Sequence, residues 1–318
     1  MKIIKHGFVR SFSCLLALLG ISYCVSSFVG NYQSIPLIDW NLSVITRLIL
    51  LALIFFVAVL FYFEGWRVLV SSKEFPVSFG NAFVLMGFSQ IAKYVPGNIF
   101  HYAGRMVLAV KGGMQSGVLT VSIVLETVLS LATVIVIVIV GMIADSSFRA
   151  VIASLLPGSF PWGALCIAGT ILFAIVCLFM ARRIKDWIYN VKNYLNPWVV
   201  CRAIIMYLLI FLLTGLIIKL IPWALWGNVT RITFIQAVWR FSLCWIAGFI
   251  VPGAPAGLGV REALFTRLFM YELGEGEAVC VALIFRMITT AGDILTFTIA
   301  WWLGRRLVFK SESNMLKT

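Results

Sequence analysis

Val251-Pro-Gly-Ala-Pro-Ala-Gly-Leu-Gly-Val-Arg-Glu262 is the stretch on which the fold turns. It sets two prolines, three glycines and the oppositely charged Arg261 and Glu262 inside twelve residues of a chain otherwise made of long apolar runs. Proline removes a backbone donor and glycine opens dihedrals closed to other residues, so a helix entering this stretch has to break. In hydrocarbon a broken backbone survives only where protein buries it or where it lines a wet cavity. An arginine and a glutamate at the same point favour a cavity with a task.

Working outward, Val95-Pro96-Gly97 repeats the start of the motif, and Arg105 follows Pro96 by nine residues as Arg261 follows Pro252. The two copies occupy comparable places in the two halves of the chain. Paired broken segments in corresponding halves are the sequence pattern of a transporter site.

Hydrophobic residues make up 62% of the 318 and charged residues only 12%, with no polar block large enough for a soluble domain. Residues 1–318 therefore read as a single integral membrane domain of an all-α polytopic protein. The net charge of +13 belongs to cytoplasmic loops rather than to a nucleic-acid surface. Seven cysteines are scattered without a C-x-x-C pair and the histidines are two, His6 and His101, so packed thiols are expected and a zinc centre is not. No metal and no cofactor is expected.

Apolar runs predict spans at about 11–29, 45–63, 117–143, 162–180, 203–221 and 278–303. Between them lie broken regions at about 78–111 and 232–270. The arms of the first, 79–92 and 99–110, are too short to cross a hydrocarbon core that takes about 20 helical residues. Two re-entrant hairpins result, with tips at Pro96 and Gly97 and at Pro252, Gly253, Gly257 and Gly259, and a total of six to eight transmembrane segments. Arg182, Arg183, Lys185, Lys192 and Arg202, with both termini, set the cytoplasmic side. The first hairpin then opens from the cytoplasm and the second from outside, so pseudo-repeats at about 1–145 and 160–305 are inverted. Inverted halves with broken helices near the midplane are the architecture of alternating access.

Tyr94-Val-Pro-Gly-Asn98, Gly104-Arg105, Leu125-Glu126 and Pro252 to Ala263 resemble the lysylphosphatidylglycerol synthase transmembrane family, also called the flippase-like domain family. The resemblance covers nearly the whole chain. It implies translocation of a lipid across a bacterial inner membrane. With no soluble domain after the last span, the aminoacyl-transferase activity of some members is not expected to come with it.

Arg105 and Arg261 are the first candidates for an anionic headgroup, because a guanidinium can hold a phosphate through two hydrogen bonds. Their structural alternatives are ion pairs, Arg261 with Glu262 or Glu126 and Arg105 with an interfacial phosphate. Glu126 and Glu262 balance the arginines or carry a proton. Arg286 and Asp293, seven apart on one helical face, read as a bridged buried pair, and Arg240 and Lys93 as substrate contacts or as side chains reaching an interface. Asn98 and His101 are candidate headgroup donors or polar lining. The expected partners are a membrane lipid or lipid-linked saccharide and a coupling ion, since no G-x-x-x-x-G-K-[ST] loop is present to use a nucleotide.

Three functions stay open at this point. The first is a lipid translocase that is not an enzyme. The second is a non-catalytic scaffold for lipid or surface-glycan assembly. The third is a membrane-embedded lipid-phosphate enzyme, for which His101 would be the base.

Overall fold

A computed structural model of the chain describes residues 35–71, 76–94, 100–145, 196–227, 232–251 and 255–315, with a few isolated positions before residue 35. The expected spans at 11–29 and 162–180 fall largely or wholly outside the described residues. So do Arg182, Arg183, Lys185 and Lys192, and so do Pro96, Gly97, Asn98, Pro252 and Gly253 at the tips.

Eight α-helices and no strand occur among the described residues: α1 (Leu42–Val70), α2 (Phe79–Ile91), α3 (Phe100–Lys111), α4 (Ser116–Ala144), α5 (Pro197–Trp226), α6 (Phe234–Ile250), α7 (Val260–Leu273) and α8 (Glu275–Met315). Four of them, α1, α4, α5 and the Glu275–Arg305 part of α8, are long and apolar enough to cross a membrane. The protein is a polytopic α-helical membrane protein. The remaining helices hold 13, 12, 17 and 14 residues. At about 1.5 Å per residue each is shorter than a hydrocarbon core of about 30 Å.

Local chemistry fixes the ends. Asn41 caps α1 by accepting from the Val44 N–H, and Thr233 with Gln236 makes a reciprocal capping box for α6. Pro197 opens α5, and Gly227 closes it with a φ of 72°. Hydropathy alone trims α1 at residue 63, yet the helix runs on to Val70. Glu64 explains the extension: Arg67 holds it through Nε at 2.6 Å and Nη2 at 2.7 Å, and Arg202 of α5 adds a third contact at 2.7 Å.

Packing is symmetric in pattern. α1 lies along α5; α2 of one half packs on α8 of the other, and α6 packs on α4. Each cross-half contact is made at a glycine, Gly87 against Ala300 and Gly141 against Trp239. Small residues at these points let the helix backbones approach, as membrane helices require when lipid supplies no hydrophobic drive. Within each half, α2 packs against α3 and α6 against α7, and the short 3-10 turns Ala92–Tyr94 and Pro255–Gly257 meet each other. Trp40, Trp198 and Trp223 sit exposed at helix ends, where an interfacial belt is expected.

Candidate functional site

Where the two turns meet, a cavity of about 210 Å³ opens, and every helix contributes to its wall. Charged lining, with Tyr94 and His101, comes from the first turn, α3, α7 and α8: Lys93, Tyr94, His101, Arg105, Arg261, Glu262, Arg286 and Asp293. Aromatic lining comes from most of the helices, with a cluster on α5 and α6. There Trp245 stacks on Phe249 at 5.3 Å and meets Phe211 edge-on at 5.4 Å.

Arg105 is buried and grips Glu126 of α4 with both nitrogens, at 2.7 and 3.3 Å. The Tyr62 hydroxyl donates to the same carboxylate, and the guanidinium lies 4.8 Å from the Trp66 ring centre. Glu126 itself is fully buried behind the wall. A buried pair of this geometry keeps both charges satisfied in low dielectric. Glu126 therefore belongs to Arg105, which corrects the expected alternatives of Arg261 with Glu126 and of Arg105 with an interfacial phosphate.

The reading of Arg286 and Asp293 as one bridged pair is also corrected. Asp293 pairs with Lys93 at 2.7 Å and accepts from the Tyr94 hydroxyl at 2.7 Å, both from the first turn. Arg286 faces Glu262 at 3.5 Å and donates to the Ala256 carbonyl at 3.2 Å. Seven-residue spacing does place the two residues on one face of α8, but Asp293 is taken up by the turn Ala92–Tyr94 and Arg286 by the Pro255–Gly257 turn with Glu262. Ala256 adopts a left-handed φ of 49°, an uncommon state for a residue with a Cβ, in the turn that presents that carbonyl.

Glu262 has a second duty. Its other oxygen accepts from the Gly259 N–H at 2.8 Å and so caps the start of α7, one turn from Arg261.

Arg261 stands apart. It makes no hydrogen bond and no ion pair with any described residue, its Nε is buried without a partner, and its guanidinium lies 5.9 Å from the Trp245 ring centre. What holds it is shape. Gly248 of α6 and Gly257, whose φ is 71°, both abut the Arg261 side chain, and a Cβ on either would collide with it. Gly248 of α6 and Gly257 of the motif thus make a channel in which the side chain lies, on the wall of the cavity. Buried Nδ1 of His101 and Nη2 of Arg286 are likewise unpartnered.

Arg240 is the one candidate placed away from the cavity. It is fully buried and bonds Asp145 at 3.2 Å, Glu272 at 2.7 Å and the Leu268 carbonyl at 2.8 Å, tying α4, α6 and α7 together. It does not line the cavity. Asp145, expected to begin a loop, is the capping residue of α4 and accepts from Trp239 and Gln236 as well. Sequence reading also missed Tyr62, Tyr94, Tyr207 and Trp245 on the cavity wall. Their signal was the mere presence of an amphipathic ring inside an apolar run, which many wall-less tyrosines and tryptophans share.

Fold and cavity together define a class: a multi-pass helical membrane protein whose short, broken helices converge on a buried, positively biased site. The lysylphosphatidylglycerol synthase TM region matches residues 12–296, and the chain belongs to that family. Its setting is a membrane and its business is membrane lipid. No curated protein matches the sequence.

Proposed function

We propose that this protein is a lipid translocase of flippase type, moving an anionic phospholipid or a polyprenyl-phosphate-linked intermediate across a bacterial inner membrane without covalent chemistry. The observation that carries the reading is Arg261, a cation set in a glycine channel, making no ion pair among the described residues and facing a cavity roofed by two broken helix pairs. A polar headgroup crossing hydrocarbon needs such a site, while its tails stay in the lipid. Two re-entrant hairpins in inverted halves fit the short helices, the contact between their turns and the matched cross-half packing. Cytoplasmic termini fit the distribution of Lys and Arg along the sequence. Movement is downhill or ion-coupled.

The test is direct. The purified chain in liposomes accelerates translocation of a fluorescent phosphatidylglycerol or a polyprenyl phosphate, and Arg261→Ala abolishes the acceleration while Arg261→Lys restores part of it. Absence of acceleration for both lipid types overturns the proposal. His101→Ala retains translocation, since no base is needed; loss of activity there would favour a lipid-phosphate enzyme.

A further inference from the structure

The charges around the cavity count to a definite remainder. Among the described residues four cations border it, Lys93, Arg105, Arg261 and Arg286. Three carboxylates answer them: Asp293 for Lys93, Glu126 for Arg105 and Glu262 for Arg286. The tip residues outside the described set, 95–99 and 252–254, contain no ionisable side chain. One positive charge is left over, and it is Arg261.

We infer that the cavity selects a lipid whose headgroup carries a single net negative charge on a phosphodiester, over diphosphate-linked lipids and over cationic aminoacylated lipids. The inference rests on the translocase reading and narrows its substrate. Charge in a low-dielectric site is tolerated when balanced and costly when not. One phosphodiester brings the remainder to zero. A diphosphate overshoots it, and an aminoacylated headgroup with net positive charge adds to it.

Donor geometry agrees. A phosphodiester shares its charge over two non-bridging oxygens, and Nε of Arg261 and Nη2 of Arg286 are two of the unpartnered buried nitrogens on the cavity wall, beside Nδ1 of His101, Nε of Arg105 and the Tyr207 hydroxyl. Arginine suits such an oxygen pair because its N–H groups are fixed in a plane. The stacked Trp245 and Phe249 beside Arg261 supply an apolar wall for the first methylenes of a lipid, which a soluble phosphodiester could not use. Glycerophospholipids and polyprenyl-phospho-monosaccharides share the one-charge phosphodiester, and the experiment separates them.

The full chain is placed in neutral phosphatidylcholine nanodiscs, and the lipid retained by native mass spectrometry is measured in competition. Probes are phosphatidylglycerol, a polyprenyl-phospho-glucose, a polyprenyl diphosphate, lysylphosphatidylglycerol and soluble dimethyl phosphate. At least one of the two one-charge lipids is expected to be retained about tenfold or more over the diphosphate, the lysyl lipid and dimethyl phosphate; which of them leads names the source. Arg261→Gln is expected to lose the preference and Arg261→Lys to keep it. Asp293→Asn adds one positive charge to the remainder and is expected to shift preference toward the diphosphate, so the charge rule is testable even if Arg261→Gln does not insert.

Preference of the native protein for the diphosphate, for the lysyl lipid or for dimethyl phosphate overturns the inference. So does an unchanged preference in Asp293→Asn. Charge-selective binding with no translocation in liposomes would instead sink the translocase reading alone.

Discussion

Gly248 has no side chain, and the Arg261 side chain takes the room where one would be. Gly248→Ala should favour the helix locally by up to about 1 kcal/mol. It should nonetheless push Arg261 out of its channel, and translocation in liposomes is expected to fall about tenfold or more with insertion unchanged. Retained translocation would mean that Gly248 does not position the arginine. Two arginines on neighbouring helices are also expected to differ in the sign of their effect on stability. Arg240→Met strands Asp145 and Glu272 in the interior and is expected to cost about 3–5 kcal/mol, seen as a lower thermal midpoint in detergent. Arg261→Met removes a charge that has no partner to strand. Its midpoint is expected to equal or exceed that of the native chain, a pattern of stability traded for function.

At the scale of elements, α8 is the rod against which both turns bear: Lys93 and Tyr94 reach it at Asp293, and Glu262 and Ala256 reach it at Arg286. The seat of α2 on that rod is Gly87, where a Cβ would run into Ala300, whereas Gly104 on the companion helix α3 has open space around it. Gly87→Ala is therefore expected to lower the thermal midpoint, by about 1–3 kcal/mol of overpacking. Gly104→Ala is expected to leave it level or raise it through helix propensity, by up to about 1 kcal/mol. Equal effects would show that the α2–α8 contact is not tight. Helix positions of this kind were legible in the sequence because proline, glycine and the length of each apolar run speak of local backbone. The expected arm 79–92 is the helix Phe79–Ile91 with its turn, and the expected span 117–143 is Ser116–Ala144. Pairings were not legible. Spacing places Arg286 and Asp293 on one face of a helix but says nothing of what arrives opposite, and Asp293 met Lys93 while Arg286 met Glu262. For the same reason Asp145 could be read as the residue that ends its helix, but not as the anchor of Arg240. Arg261 was legible from the outset, because an arginine beside broken helix in an apolar chain has few dull explanations.

On the scale of the whole molecule, the proposed inversion of the two halves makes a claim about sides. Gln115 lies exposed before α4, at the base of the first helix pair, and Phe234 lies exposed at the start of α6, at the base of the second. In a chain otherwise free of cysteine, Gln115→Cys is expected to react with an impermeant maleimide only from the cytoplasmic face, and Phe234→Cys only from the other. Labelling of both from one face would rule out the inverted arrangement. The unmatched charge of Arg261 then acquires an electrical meaning. An empty cavity holds one positive charge inside the field of the membrane, whereas a cavity filled by a singly negative headgroup holds none. On the translocase reading, voltage then pulls on the unloaded protein and lets the loaded one pass. With about 2.3 kcal/mol per elementary charge per 100 mV, a resting potential biases which side the vacant site faces. Direction of net lipid flow would then be written into the return stroke.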